Sequence, residues 1–317
     1  MKKTKYGELE KKFLNQAIDS DNLFYVGGEF TEKLVEKIKS FFKMPYAATA
    51  SSGTAAIHCA IGALEIQPGK EIITSPITDM GSVIGALYQN LIPVFADVDP
   101  RTYNLSPDSI REKITDRTKA IIAVHLAGNP AQMEEILEIA AEHDLYVIED
   151  CAQSYGAKSR GKYIGTMGDI GCYSLNAYKH ISAGDGGFCI TKDEELYERI
   201  HNFADKYYDR HGKGVRLSRL APNYRITELQ SAVALAQFEK LPHIISKRHE
   251  LGDLFNKEIE KLHIPISPHK VHPEDFCSYW FTMIRLEEEF PIPRKDFSFA
   301  LKFEGVKASE GYISRPL

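Results

Sequence analysis

Apolar positions recur at helical spacing early in the chain and then give way to an alternation of short apolar runs and amphipathic stretches. Leu9, Phe13, Leu14 and Ala17 share one face of a first helix. Leu34, Val35, Ile38, Phe41 and Phe42 share one face of a second, with Gly27-Gly28 breaking the pattern between them. Small residues from Ala47 to Ser52 lead into Gly53-Thr54 and the apolar helix AAIHCAIGALE. Then Glu71–Thr74, Pro93–Ala96, Ala120–Leu126 and Tyr146–Ile148 read as buried strands. Ser106-Pro107-Asp108 opens a helix between them, with a cap, a proline at the first helical position and an acid in the first turn. Met133–Ala141 makes another, with Ile136, Leu137 and Ala140 inward. This alternation predicts an α/β fold with a largely parallel sheet. Such sheets bind ligands at the carboxyl ends of their strands.

Farther along, Thr227-Glu228-Leu229-Gln230 is a capping box for a helix to Leu241, with Leu229, Val233 and Ala236 on one face. Pro242 is expected to end that helix. The chain is therefore divided there into a large domain, 1–241, and a smaller C-terminal α/β domain, 242–317. The second part reads as a long helix, Ile244–Leu262, a proline-dotted loop over Pro265–Pro273, a strand, Tyr279–Leu286, and a helix, Phe297–Phe303.

Composition narrows the classes. Of 317 residues, 43% are hydrophobic and 26% charged, as in ordinary globular proteins. The net charge of −5 gives no broad attraction to nucleic acid or anionic membranes, so any phosphate must be held locally. The five cysteines are scattered without CxxC spacing and read as small buried hydrophobes in a reducing compartment. MKKTKYGELEKK is basic, but no apolar run follows it, and no stretch approaches 18 apolar residues. A cytoplasmic protein without membrane or nucleic-acid partners is the expectation.

The candidate chemistry centres on CYSLNAYKHISAGDGG (172–187), where Lys179 stands between a β-rich run and a glycine-rich loop. Such a lysine is either an ordinary surface charge or a Schiff-base former. Ser51-Ser52-Gly53-Thr54 is either a plain helix cap or an anion site at a helix start. Asp150, directly after a strand, is either a first-turn acid or a carboxylate that keeps a ring nitrogen protonated. Gln153, three residues on, is either a solvated side chain or a donor to a ring hydroxyl, and Ser174 is within reach of the same anion as Thr54. Asn223-Tyr224-Arg225 suits turn chemistry, an anionic ligand or a partner subunit. A metal reading is poorer: His125, Asp150 and Gln153 lack helical ligand spacing, and His269 and His272 read as solvated. There is no GxGxxG, and Cys151 spoils a P-loop reading of the segment ending at Ser159. Lysine, acid, amide donor and phosphate cup together favour pyridoxal phosphate, with no metal.

The ordered motifs SSGTAAIH (51–58), PVFADVDPRTYN (93–104), VHLAGNP (124–130), EDCAQSYGA (149–157), GDIGCYSLNAYKHISAGDGG (168–187) and PNYRITELQSA (222–232) resemble the DegT–StrS sugar and cyclitol aminotransferases. The resemblance runs from Asn22 to the end and implies the aspartate-aminotransferase fold, type I of the pyridoxal-phosphate transferases. It makes Lys179 the Schiff-base lysine and Asp150 the partner of the pyridine nitrogen. Gln153 would meet the ring hydroxyl, and Gly53, Thr54 and Ser174 would hold the phosphate. Asn223 would reach the cofactor of a neighbouring subunit, which implies a homodimer. Asp79 stands where the family carries an aromatic that stacks on the ring. SPITDMGSVIGALYQN and NAYKHIS look most like the branch acting on keto-inositols and deoxy-inososes, which implies L-glutamine, or else L-glutamate, as donor and a keto-cyclitol as acceptor. The alternatives are a nucleotide-sugar acceptor, a dehydratase of the kind with histidine at the lysine position, and a cofactor-binding sensor. The family's C-terminal domain continues past this chain's last residue, so that domain is expected to be incomplete.

Overall fold

The computed structural model describes residues 5–210, 212, 220–313 and 315–317. Helices α1 (Glu8–Asp19) and α2 (Glu29–Phe42) come first, followed by β1 (Tyr46–Ala50) and α3 (Gly53–Ala63). Next are β2 (Glu71–Thr74), α4 (Ile84–Tyr88), β3 (Ile92–Phe95), α5 (Pro107–Lys113), β4 (Thr118–Val124), α6 (Met133–Glu142) and β5 (Tyr146–Asp150). A small ribbon, β6 (Lys158–Ser159) and β7 (Lys162–Tyr163), precedes β8 (Ile170–Ser174), β9 (Gly187–Thr191) and α7 (Glu194–Ala204). The remainder is α8 (Glu228–Glu260), β10 (Ile266–Pro268), β11 (Ile284–Leu286) and α9 (Arg294–Phe303).

Seven strands form one sheet in the order β1-β9-β8-β5-β4-β2-β3. Neighbours from β8 to β3 are parallel, while β9 pairs antiparallel with both β1 and β8. The mainly parallel, mixed sheet expected from the alternation is therefore present. Period-two alternation splits the buried residues between two faces. Ile72, Ile122, Ile148, Cys172 and Cys189 pack with α3 on one side. Ile73, Ile121 and Val147 pack with α6 on the other, joined there by Tyr173 and Phe188 against α2 and α8. Both faces are covered, which is why these strands are near-continuous apolar runs. All five cysteines are buried and free, as expected.

Two elements differ from expectation. Pro242 lies inside α8 and does not end it. An interior proline costs about 3 kcal/mol. Phe238, Leu241 and Ile245 around it are buried in the core, and each such side chain returns about 1.5–3 kcal/mol. Packing prevails, so the helix runs through the position where the sequence divides the chain. The strand predicted for Tyr279–Leu286 shrinks to β11. Tyr279 has φ +44°, and Ser278 and Trp280 donate their N–H groups to the carbonyls of Gly128 and Ala127 instead of to a sheet neighbour. That detour carries the segment to the strand ends. Among the described residues, no helix is long and apolar enough to cross a membrane.

Candidate active site

Strand β5 delivers two carboxylates to opposite faces. Glu149 is fully buried and accepts N–H groups from Gly165 (2.6 Å), Met167 (2.8 Å) and Gly168 (2.7 Å), and Nε2–H of His125 (3.1 Å). Burial pushes its carboxyl up, but the bonds from His125 and the backbone outweigh this and hold it below the ordinary value. Nδ1 of His125 accepts the Ala131 N–H at 3.0 Å, which leaves the ring proton on Nε2. With Cys151 these residues cluster closely enough for a metal. The lone pairs of His125 and Glu149 are already engaged, so the group reads as a structural lock under the site.

Asp150 faces the other way and is 5% exposed. Its Oδ1 accepts the Ala152 N–H at 3.0 Å, and its Oδ2 accepts the Ser82 hydroxyl at 2.6 Å. Ser82 Oγ lies 2.7 Å from Thr78 Oγ1, in the segment after β2. Gln153 turns its Oε1 to the Ala127 N–H (2.9 Å) and donates Nε2–H to the phenol of Tyr312 (3.0 Å). Its amide is thereby oriented, with nitrogen toward the pocket. Ala127 holds φ +58° at the kink after β4.

Lys179 lies five residues beyond the end of β8, in a turn instead of at the strand end itself. Its Nζ stands 4.2 Å from the centroid of the Trp280 ring. Burial lowers its pKa, and the charges of Asp150 and Asp79 partly restore it. His180, next in sequence, is buried with Nε2 3.0 Å from the Ser278 carbonyl, and burial holds its ring down to about 3. It donates away from the lysine position.

A candidate anion cup is built by close approach. Ser52 caps α3 by accepting the Ala55 N–H at 3.0 Å, leaving the first-turn amides of Gly53 and Thr54 without intrahelical partners. A Cβ on Gly53 would stand 2.5 Å from Cβ and 2.9 Å from Oγ of Ser174, so only glycine lets that hydroxyl lie against the helix start. Hydroxyl and amides converge there, with the helix dipole behind them.

Six of the seven expected residues (Gly53, Thr54, Asp150, Gln153, Ser174 and Lys179) thus gather at the helix start and the strand ends. Asn223 does not join them through a side-chain bond. It is exposed and forms a bridge with Asp205, whose carboxylate binds Lys206, Arg210, Arg225 and Tyr25. His269, expected to be solvated, is 1% exposed, with neither ring nitrogen paired among the described residues. Its N–H donates to the Met283 carbonyl, its ring stands 5.6 Å from that of Tyr279, and burial holds the ring down to about 4. Ser82, Trp280 and Tyr312 escaped the sequence reading. Ser82 lies three residues past the flagged Asp79, and the other two come from distant segments.

An amine, an oriented carboxylate, an amide donor and a helix-start anion cup, set at the strand ends of a mainly parallel sheet, define a transferase site of fold type I. The solved aminotransferase of Psychrobacter cryohalolentis superposes on the chain with a TM-score of 0.87 at 28% identity, covering 95% of this chain and 81% of that chain. The model of the DegT/DnrJ/EryC1/StrS aminotransferase family matches residues 5–317, and the chain belongs to that family. It is 37% identical over 281 residues to GDP-perosamine synthase of Escherichia coli O157:H7, covering 87% of this chain and 74% of the relative. It is 34% identical over 239 residues to a Micromonospora echinospora protein provisionally named L-glutamine:3-amino-2,3-dideoxy-scyllo-inosose aminotransferase, covering 74% of this chain and 55% of that one. The solved GDP-4-keto-6-deoxymannose-3-dehydratase with a trapped PLP-glutamate geminal diamine is 26% identical with a TM-score of 0.87, covering 96% of this chain and 83% of that chain.

Proposed function

We propose that this chain is a pyridoxal-phosphate-dependent aminotransferase that moves an amino group from an amino-acid donor to a keto-sugar by a two-stage, ping-pong reaction. The observation that carries the reading is the convergence of Lys179 and Asp150 beside the Gly53–Ser174 cup. When bound, pyridoxal phosphate supplies an electron-withdrawing ring that makes the donor's α-proton acidic. Gly53, Thr54 and Ser174 would bind the phosphate, and Gln153 would donate Nε2–H to the ring hydroxyl. Asp150, oriented by Ser82 and Ala152, would hold a proton at the ring nitrogen. Lys179 Nζ would take up the donor's α-proton and later give it up, and burial favours the neutral amine this requires. Trp280 and Tyr312 exclude water from that amine.

For the acceptor, the identity to GDP-perosamine synthase favours a nucleotide-linked keto-sugar. The keto-cyclitol reading expected from SPITDMGSVIGALYQN and NAYKHIS keeps support from the Micromonospora relative. A screen pairing glutamine or glutamate with GDP-4-keto-6-deoxymannose and with scyllo-inosose separates them. Amination of the inosose alone overturns the nucleotide-sugar assignment and leaves the aminotransferase reading standing. A donor that converts no cofactor to the amine form sinks both readings and favours a passive sensor.

We further propose a homodimer in which Asn223 reaches the partner's phosphate cup. Its exposure, and that of Met80, Leu87 and Tyr88 beside the site, support this. The division into a large domain, 1–241, and a small one, 242–317, belongs to the same reading, with α8 running through both. Light scattering on the purified chain tests the dimer; a monomeric mass at micromolar concentration removes it.

A further inference from the structure

The ε-amine of Lys179 has an unusual neighbour. Among the described residues it forms no ion pair, and its close partner is the face of Trp280, 4.2 Å from the ring centroid. Trp280 is itself fixed at three points. Its Nε1–H donates to the Tyr178 carbonyl at 2.7 Å, its N–H to the Ala127 carbonyl at 2.8 Å, and its own carbonyl accepts from Arg248 at 3.0 Å. Tyr312 stands edge-on to the same ring at 5.8 Å. The indole is thus tied to the turn that carries Lys179 and, through Ala127, to Gln153.

We propose that Trp280 is a positioning residue for Lys179, its indole face holding the ε-ammonium between the uptake of a proton and its release, and in the chain without cofactor. The proposal rests on the aminotransferase reading above. A lysine that must leave its cofactor and return needs a resting place close by. A carboxylate there would bind the ammonium tightly and retain its proton, and pairing with Asp150 would divert the group meant for the ring nitrogen. An aromatic face attracts the charge, accepts no proton and imposes little direction on departure. The other charged or titratable groups facing Lys179 are Asp150 from β5, Asp79 after β2, His180 beside it and Tyr312 from the C-terminal segment. Lys5 donates to the Lys179 carbonyl at 2.9 Å, and Arg248 reaches in from α8.

The chain contains one tryptophan, so biosynthetic replacement with mono-, di- and trifluorotryptophan alters Trp280 alone. Fluorine drains the π face stepwise and nearly preserves the ring's shape, which separates attraction from packing. The titration of Lys179 is read in the full chain freed of cofactor, by competitive acetylation followed by peptide mass spectrometry. The expected result is a stepwise fall of its midpoint, reaching about 0.4 to 1.5 pH units in the trifluoro protein, with exposed Lys12 unmoved. Trp280→Leu should show a comparable fall, and Trp280→Phe a smaller one. A Lys179 midpoint that ignores fluorination overturns the proposal, even where the visible cofactor band forms normally. If wild-type protein forms no such band, the aminotransferase reading fails, and the titration still judges the Trp280 contact.

Discussion

Gly53 and Ser174 meet so closely that a methyl group on the glycine would stand 2.5 Å from the serine Cβ. The two residues lie on different elements, and their contact brings a hydroxyl to the amide end of α3. Gly53→Ala should therefore push Ser174 away and weaken pyridoxal-phosphate binding by about 10- to 100-fold, the equivalent of one charge-assisted hydrogen bond. Equilibrium dialysis of the cofactor-free protein gives the number. Unchanged affinity would place the phosphate elsewhere.

Lys179→Ala should abolish the visible band of the lysine-linked cofactor and slow the donor half-reaction by about 10² to 10⁴-fold, the range for losing a positioned acid–base group. Stopped-flow absorbance with glutamine and with glutamate measures both effects. A variant that kept the band and the rate would remove Lys179 from the centre of the site.

Ser82 donates to Asp150 at 2.6 Å, and Thr78 backs it. Ser82→Ala should leave the fold intact and loosen the carboxylate, weakening cofactor binding by about tenfold or more. The fall should exceed that for an alanine at Ser109, whose hydroxyl serves the Asp97 N–H just past the edge strand β3, three strands from β5. Equal losses in the two variants would make Ser82 a general packing residue.

Burial holds His58 and His269 down to about 4, below the ordinary histidine value of 6.5. Well above pH 6.5 neither the folded nor the unfolded chain protonates these rings, and they exert no pH dependence. As the pH falls from 6.5 toward 4 the unfolded chain takes up protons that the folded chain refuses, so stability declines. Between pH 6.5 and 5 each ring should remove on the order of 1–2 kcal/mol. Urea unfolding of His269→Leu should show a correspondingly shallower decline than the wild type. An identical pH slope would mean that His269 titrates freely in the folded protein.

The parts legible in the sequence were those written in short-range grammar. Ser106-Pro107 marked the start of α5, the alternation marked the parallel sheet, and Asp150 at a strand end marked the site. Strand β1 was less visible: three of the five residues of Tyr46–Ala50 are alanine, so it carries weak β propensity and forms because its neighbour β9 completes it. Pro242 misled for the converse reason, since a local breaker was overruled by burial of Phe238 and Leu241. Trp280 and Tyr312 had no local signal. The place of Trp280 depends on a turn at Tyr279 with φ +44° inside what reads as a regular β run, and that of Tyr312 on its contacts with Gln153 and Trp280.

Ala127 has no side-chain chemistry, yet both of its peptide groups are committed. Its N–H serves Gln153 and its carbonyl receives Trp280. One kinked residue therefore works as a rocker between two arms of the pocket. A shift in the segment that carries Trp280 tilts the peptide that orients the Gln153 amide, and a pull on Gln153 is felt at the indole. The Gln153 amide and the Trp280 indole thus hang on adjacent peptides of a single residue.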